Sequence, residues 1–558
     1  MSNDNLSFTC NYLIRVMTDN KDLTGLSRRS FLVGTGSILL ASTLPIGQAS
    51  AQTNTYIRRN LSDPSAPLKS YKKAIKAMLE LPPCDPRNWY RNVFIHLLDC
   101  PHGNWWFLPW HRGYLGWFEK TCRELSGDPD FALPYWDWTA QPYIPEVFFE
   151  GVLNPSNEAF ISSYSTFKQQ FQDPISDFWN SLSTDQLHQQ KLRGYCSIDD
   201  VWQAIENPNA PMFYPSDAAR RITQENPYLD CETQTAVSLE TIKSALAPRN
   251  FIDFGSDVAG YHSQTTGFAV LEDQPHNLVH NNIGGFMGDF LSPVDPIFFM
   301  HHCNIDRLWD VWTRKQEKLS LPTLPLHPDL RKLWQAEPFL FFIDDKGNEV
   351  QANENEEDEE DKVQPNTAGY YATIGDFNYV YQPGSGEELV PAYKNELKEL
   401  TDEPTVFSVQ QVSGRSLKFN QLSKSNVNVP KEILRAALAS SNGPSEFPIT
   451  SIVAEITINV PANLRDVRFN VLLNSPEGQD SIGLDKTHLV GALELFGTLH
   501  HSGPVTFKIP LTRALKALAK KKKLNIDQPL QVGLVPDSKR IRRDSLEATL
   551  ESVNIKIF

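Results

Sequence analysis

Apolar residues recur at helical spacing along residues 70 to 125, interrupted by Pro82-Pro83, Pro86 and Pro101, which read as loops. The clearest amphipathic stretch is Trp110 to Leu125, where Tyr114, Leu115, Phe118, Cys122 and Leu125 share one face. Residues 142 to 270 show no clean period, and residues 273 to 317 return to a helical one. Past Pro404 the period becomes two. Ile452, Ala454, Ile456, Ile458 and Val460 fall on one strand face, as do Val467, Phe469, Val471 and Leu473. The same alternation marks Val505 to Ile509, Leu530 to Leu534 and Val553 to Ile557. Short alternating segments separated by turns predict an antiparallel sandwich or barrel. The fold class is therefore mainly α, a helical bundle followed by a small antiparallel β-sandwich domain.

Between the two patterns, Asn353 to Asp361 holds seven acidic residues in nine, which predicts a solvated loop. The expected organisation is a leader over 1–51, a helical domain over 52–345, an acidic linker over 346–404 and a β domain over 405–558. The leader is read from Ser27-Arg28-Arg29-Ser30-Phe31-Leu32, a mildly apolar stretch to Ile46, and the small residues Ala49-Ser50-Ala51. This order is that of a twin-arginine export signal, so the expected location is periplasmic or secreted. No apolar run reaches the roughly 20 residues of a membrane-spanning helix, so no anchor is expected once the leader is cleaved. The formal net charge of −15 argues against nucleic acid and anionic membranes as partners. Cys10 lies in the leader. Cys84, Cys100, Cys122, Cys196, Cys231 and Cys303 remain, with their pairing open.

Of the 13 His, six or seven fall into two local clusters. The first is His96, His102 and His111. The second is His276 and His280, followed by the adjacent pair His301-His302. His276 and His280 are four apart, on one helix face, and can chelate one ion. Asn277 stands where a zinc protease needs Glu, and the Glu-x-x-His pairs of di-iron bundles are absent. All-imidazole sites suit copper, zinc or nickel. Copper fits best as a pair of ions, because two coppers can together reduce O2 and zinc cannot. His301 and His302 lie about 100° apart on a helix, so one serves as ligand and the other packs beside it.

Five segments carry a resemblance: Phe107-Leu-Pro-Trp-His111-Arg112, Pro134-Tyr-Trp-Asp-Trp138, Pro275-His276-Asn277-Leu-Val-His280, Asp295-Pro-Ile-Phe-Phe-Met-His-His302 and Ile305-Asp306-Arg307-Leu-Trp309. Together they resemble the tyrosinase and polyphenol oxidase family of type-3 copper proteins, which includes molluscan haemocyanins. The likeness is good over residues 70 to 317. It implies a helical bundle with two copper ions, Cu A and Cu B. His96, His102 and His111 would bind the first, and His276, His280 and His302 the second, with His301 as neighbour. His96 and His102 are closer in sequence than the family's usual first pair, so His96 is either a ligand on a shortened loop or the site has five His.

The resemblance also implies a thioether from Cys100 to the His102 ring, the alternatives being a buried thiol or half a disulfide. Glu272 resembles the family's water-holding Glu, and Asn277 the Asn that helps orient that water. Asp306 is either an imidazole-orienting group or, with Arg307, part of a surface or structural pair. Phe290 is a bulky candidate at the pocket. The implied activity is that of a tyrosinase, hydroxylating monophenols and oxidising o-diphenols to o-quinones with O2, so the expected partners are a phenolic small molecule and O2. The alternatives are a catechol oxidase, a haemocyanin-like O2 carrier and, from another class, a binuclear zinc hydrolase. Arg468-Phe-Asn-Val-Leu-Leu-Asn474 and Val553-Asn-Ile-Lys-Ile-Phe558 resemble the C-terminal domain of plant polyphenol oxidases, which often covers the copper site, the alternative here being a simple stabilising domain. Val490 to Leu499 is the candidate covering loop, and Tyr379 with Tyr381 resembles the family's Tyr-x-Tyr motif.

Overall fold

The helices nearest the histidines are α1 (Leu68–Glu80), α2 (Trp89–Asp99), α3 (Phe107–Ser126), α4 (Leu278–Ile283) and α5 (Ile297–Leu319). The computed structural model describes residues 55–206, 221–352, 363–394, 405–408, 414–439, 451–462, 464, 467–476, 487–497, 501–538 and 546–558. The leader over 1–51 and the acidic run Asn353 to Asp361 lie outside the described residues. Local signals set the helix ends. Asn88 caps α2 by accepting from the Tyr90 N–H. Gly127, at φ 65°, ends α3 in the left-handed conformation that glycine adopts without a Cβ clash. Between these ends the apolar faces bury Trp89, Trp105, Trp106, Trp110, Trp309 and Trp312 in one aromatic core. Among the described residues, no helix is long and apolar enough to cross a membrane.

A short parallel pair closes this core: β1 (Tyr56–Arg58) against β2 (Tyr379–Tyr381). It brings a guanidinium into the interior. Arg58 is fully buried, donates to Glu119 at 2.8 Å and to Tyr381 Oη at 2.7 Å, and lies 3.5 Å from the Tyr379 ring centroid. Asp306 on α5 joins the other side. It accepts from Arg112 at 2.7 Å, from Tyr379 Oη at 2.5 Å and from Tyr381 Oη at 2.6 Å. With its oxygens so occupied, Asp306 touches no imidazole and ties α3, α5 and the Tyr-x-Tyr segment together. Its surroundings hold the carboxyl below the usual range: burial opposes this, and Arg112 and Arg58 overcome it.

The C-terminal half is a two-sheet sandwich. One sheet has the order β5 (Ser423–Val427), β10 (Leu530–Ser538), β7 (Val467–Leu473), β8 (Leu489–Glu494). The other has β3 (Thr405–Ser408), β11 (Thr549–Ile557), β6 (Ile452–Val460), β9 (Gly503–Pro510), with β4 (Arg415–Ser416) also on β11. All these pairings are antiparallel. The alternating residues seen in the sequence fill its core. Strand β7 is buried along its whole length, because its second face meets the helical half. There Arg468 pairs with Glu494 of β8 and, at 3.3 Å, with Asp230. Residues 56–558 form one compact unit.

Removing one partner from a buried, hydrogen-bonded charge cluster leaves the others uncompensated, a loss of about 3–5 kcal/mol. Asp306→Asn should therefore lower the denaturant-unfolding free energy by about that amount. A loss below about 1 kcal/mol would show that Asp306 does not hold the core together.

Candidate metal centre

Three chain segments deliver the first cluster. His96 sits on α2, His102 on the loop that follows and His111 on the first turns of α3. Their ligand atoms lie within 4.8 Å of one another, and all three are buried. The short spacing between His96 and His102 is thus compatible with one site. The second cluster brings His276, His280, His301 and His302 together by the same measure. His276 lies in a π-helical turn, Glu272–Asn277, that leads into α4. Pro275 in this turn has no N–H to give an α-helical ladder, which favours the wider turn. The two clusters abut: His111 and His302 stack with centroids 4.3 Å apart, and His102 and His276 at 5.5 Å.

The ring nitrogens show which atoms are available. His96 Nδ1 donates to the Phe290 carbonyl at 2.8 Å, His111 Nδ1 to the Phe107 carbonyl at 2.8 Å and His280 Nδ1 to the Met287 carbonyl at 2.7 Å. His276 Nδ1 meets Asn277 Oδ1 at 2.9 Å. A neutral imidazole that donates through Nδ1 keeps its lone pair on Nε2. The Nε2 atoms of His96, His102, His111 and His276 are buried and have no hydrogen-bond partner. His280 Nε2 and His302 Nε2 converge at 3.1 Å. Burial pushes the ring pKa values down, to about 3 for His111 and His280 against the pull of their backbone carbonyls, and neighbouring imidazoles add to it at His96 and His276, so the rings are neutral. Neutral, buried, partnerless nitrogens are the donor set an imidazole-preferring metal needs.

His301 differs from His302. The Trp138 indole N–H, a donor only, lies 3.2 Å from His301 Nδ1. That nitrogen must accept, which leaves the proton of the neutral ring on Nε2. His302 Nδ1 has no partner and its Nε2 faces His280.

Around the clusters, Glu272 is buried. Its Oε1 accepts from the Gly103 N–H at 2.7 Å and its Oε2 from the Ser256 hydroxyl at 2.7 Å. Burial raises its carboxyl to about 8 against the pull of these two donors. Asn277 is spent on His276 and on the Glu494 carbonyl of β8. Cys100 is a buried free thiol with Sγ 3.5 Å from His102 Nδ1, and burial pushes its ionisation up. All six described cysteines are free. Phe290 lies against the first cluster, its ring 6.0 Å from His102.

Two features escaped the sequence. Phe496, just past β8, stacks on His280 at 4.2 Å and stands edge-on to His102 at 5.0 Å and His276 at 5.5 Å. It lies within the stretch Val490 to Leu499, whose length and apolar character gave no reason to single it out. Gly497 beside it lets the backbone approach, since a Cβ there would sit 2.4 Å from the His102 ring. His262 is the other. It is buried between Asp99, 3.0 Å from Nε2, and Glu337, 2.7 Å from Nδ1. Asp99 also accepts from Trp110 at 2.7 Å, so the group braces the ends of α2 and α3 beside His96 and His111.

Two all-imidazole clusters side by side in a helical bundle make a candidate binuclear metal site. Residues 75–315 match the family described as the common central domain of tyrosinase. Polyphenol oxidase A1, chloroplastic, of Vicia faba is 27% identical over 78% of this chain and 66% of its own. Tyrosinase HcTyr1 of Hahella sp. (strain CCB-MM4) is 30% identical over 42% of this chain and 41% of its own. The chain thus spans less than two thirds of the length of these curated relatives. Among solved structures, a latent aurone synthase (polyphenol oxidase) superposes with a TM-score of 0.54 at 19% identity, covering 92% of both chains. A latent apple tyrosinase superposes at 0.51 with 20% identity, covering 92% of this chain and 98% of its own. Over residues 75–315 the chain carries the common central domain of the tyrosinase family. The cofactors are two copper ions, which the two clusters suit.

The Asp99–His262–Glu337 group makes a prediction. Burial would lower the His262 pKa, but the two carboxylates raise it to about 9, above an unfolded value near 6.5. A raised pKa contributes stability that is complete below about pH 6.5 and is lost as pH rises through about 9. The linkage amounts to about 3 kcal/mol. Stability measured by denaturant titration should fall across this window, and His262→Gln should flatten that fall. An equally steep fall in the variant would contradict the assignment.

Proposed function

We propose that this chain is a copper oxidase that hydroxylates monophenols at the ortho position and oxidises o-diphenols to o-quinones with O2. The observation that carries this reading is the pair of buried clusters with unpartnered Nε2 atoms and an aromatic ring, Phe496, lying against both. His96, His102 and His111 would hold one copper, and His276, His280 and His302 the other. When bound, the two ions supply the two-electron reduction of O2.

The chain's own residues do the rest. Asn277 fixes the His276 ring through Nδ1, and backbone carbonyls fix His96, His111 and His280. A phenol ionises near pH 10, so a monophenol must give up its proton to bind a metal at neutral pH. Glu272, through a water, takes that proton. With its carboxyl raised to about 8, it is a stronger base than an ordinary carboxylate, and it accepts the proton in the fraction, about a tenth at pH 7, in which it is ionised. The Gly103 N–H and Ser256 hydroxyl hold its two oxygens in place. Cys100, its Sγ 3.5 Å from His102 Nδ1, would form a thioether to a carbon of that ring, the S–H and C–H hydrogens passing to O2, which is reduced to hydrogen peroxide. The β domain covers the site, with Phe496 where a phenol ring would stack. Residues 1–51 direct export by the twin-arginine route, leaving a periplasmic or secreted protein with a helical domain over 52–345, a connecting segment over 346–404 and a β domain over 405–558.

The test is a copper-loaded pair of variants assayed on a monophenol and on catechol. Phe496→Ala should raise kcat/KM for both substrates by about tenfold or more, since it frees a stacking position. Glu272→Gln in that background should reduce monophenol hydroxylation about 10²-fold while catechol oxidation changes little. Catechol turnover without monophenol turnover in Phe496→Ala would reduce the activity to diphenol oxidation. Turnover of neither would overturn the enzymatic reading.

A further inference from the structure

A second cavity lies behind α2, on the side away from the histidines. Its volume is about 370 Å³, within the size range of small-molecule sites. Arg91, Phe94, Ile95 and Leu98 of α2 line one wall, at the i, i+3, i+4, i+7 positions of one helix face. His96 points about 150° away from that face, so the cavity and the first histidine cluster share α2 as a party wall. Phe178 and Phe341 add two more aromatic walls to a half-open, mainly apolar pocket.

Arg91 is the only cation lining it among the described residues. Its guanidinium lies 4.7 Å from the Phe178 centroid and donates one bond, to the Pro174 carbonyl at 3.0 Å. It forms no ion pair among the described residues. Asp85, the nearby carboxylate in sequence, is held by Arg87 at 2.9 Å. Asp177 and Glu349 also line the cavity, but both are exposed, where solvent screens them. Arg91 is partly desolvated, as its lowered pKa reflects. A planar guanidinium with free N–H groups at the edge of an aromatic slot is suited to a carboxylate on a flat ring.

We propose that this cavity binds a monoaryl carboxylate, with the ring packed against Phe94, Phe178 and Phe341 and the carboxylate on Arg91. Such a ligand would load the reverse face of the helix that carries His96, at a position separate from the copper centre. The inference does not depend on the oxidase reading.

Cys84 lines the cavity and is exposed, so it reports occupancy. Cys196 and Cys231 are exposed elsewhere and serve as internal controls. The full chain would be alkylated with limiting iodoacetamide in the presence of 3-phenylpropanoate or its neutral amide, and each cysteine's rate read by peptide mass spectrometry. The expected result is saturable protection of Cys84 alone, at about tenfold lower concentration for the carboxylate than for the amide. Arg91→Met should abolish that difference. Should Arg91→Met unfold, Ser181→Trp, an exposed lining position, should close the slot and remove protection. Unprotected Cys84 at millimolar carboxylate, or equal protection by both compounds, would overturn the proposal.

Discussion

Seven imidazoles packed into two adjoining clusters in a dry interior are the constraint on which the rest of this structure depends. Buried polar atoms without partners are destabilising by about 1–3 kcal/mol each. A helical core that retains several such nitrogens, all aimed inward, is built around something that satisfies them. The surrounding structure serves to keep them neutral and oriented. Backbone carbonyls fix three rings, Asn277 a fourth, and the Trp138 indole turns His301 into an acceptor at Nδ1. The ion cluster of Arg58, Glu119, Arg112 and Asp306 lies behind them and clamps α3 to α5.

The β domain reaches this centre by two routes. One is Phe496 on the imidazole faces. The other is a strap, residues 266–268, that runs beside β9. The Phe268 N–H donates to the Thr506 carbonyl at 2.8 Å, and the Phe268 ring enters the sandwich core against Phe507. The same strap donates twice to the Gly103 carbonyl, from the N–H groups of Thr266 and Gly267. Gly103 follows His102 and donates to Glu272. One short segment thus links β9, the loop bearing His102 and the turn bearing His276. The covering domain is also part of the scaffold it covers.

Much of this was legible in the sequence, for physical reasons. The helical period ended where Gly127 ends α3, and the period of two in β6, β7, β9, β10 and β11 was visible because each has one face in a common core. Strands β3, β4 and β5 were not visible, since they are short or polar, and β8 was read as part of a covering loop because it is buried on both faces and does not alternate. In the stretch from 142 to 270 no period was read, yet it holds an 18-residue helix, Tyr164–Ser181, that buries Phe167, Phe171, Ile175 and Trp179 at every fourth position around an internal Pro174, while the shorter helices after it are set by side-chain caps. The histidine clusters announced themselves because chelation imposes spacing. Phe496 and His262 did not, because their roles come from partners more than 60 residues away, and nothing local marks them.

The central claim is that each histidine cluster holds one copper, with His302 and not His301 completing the second. The direct measurement is the copper content of the purified, copper-loaded chain by elemental analysis, beside His301→Ala and His302→Ala variants of verified fold. Two coppers per chain, kept in His301→Ala and reduced to one in His302→Ala, is the predicted result. One copper or none in the unmodified chain, or the loss falling on His301→Ala instead, would contradict the account.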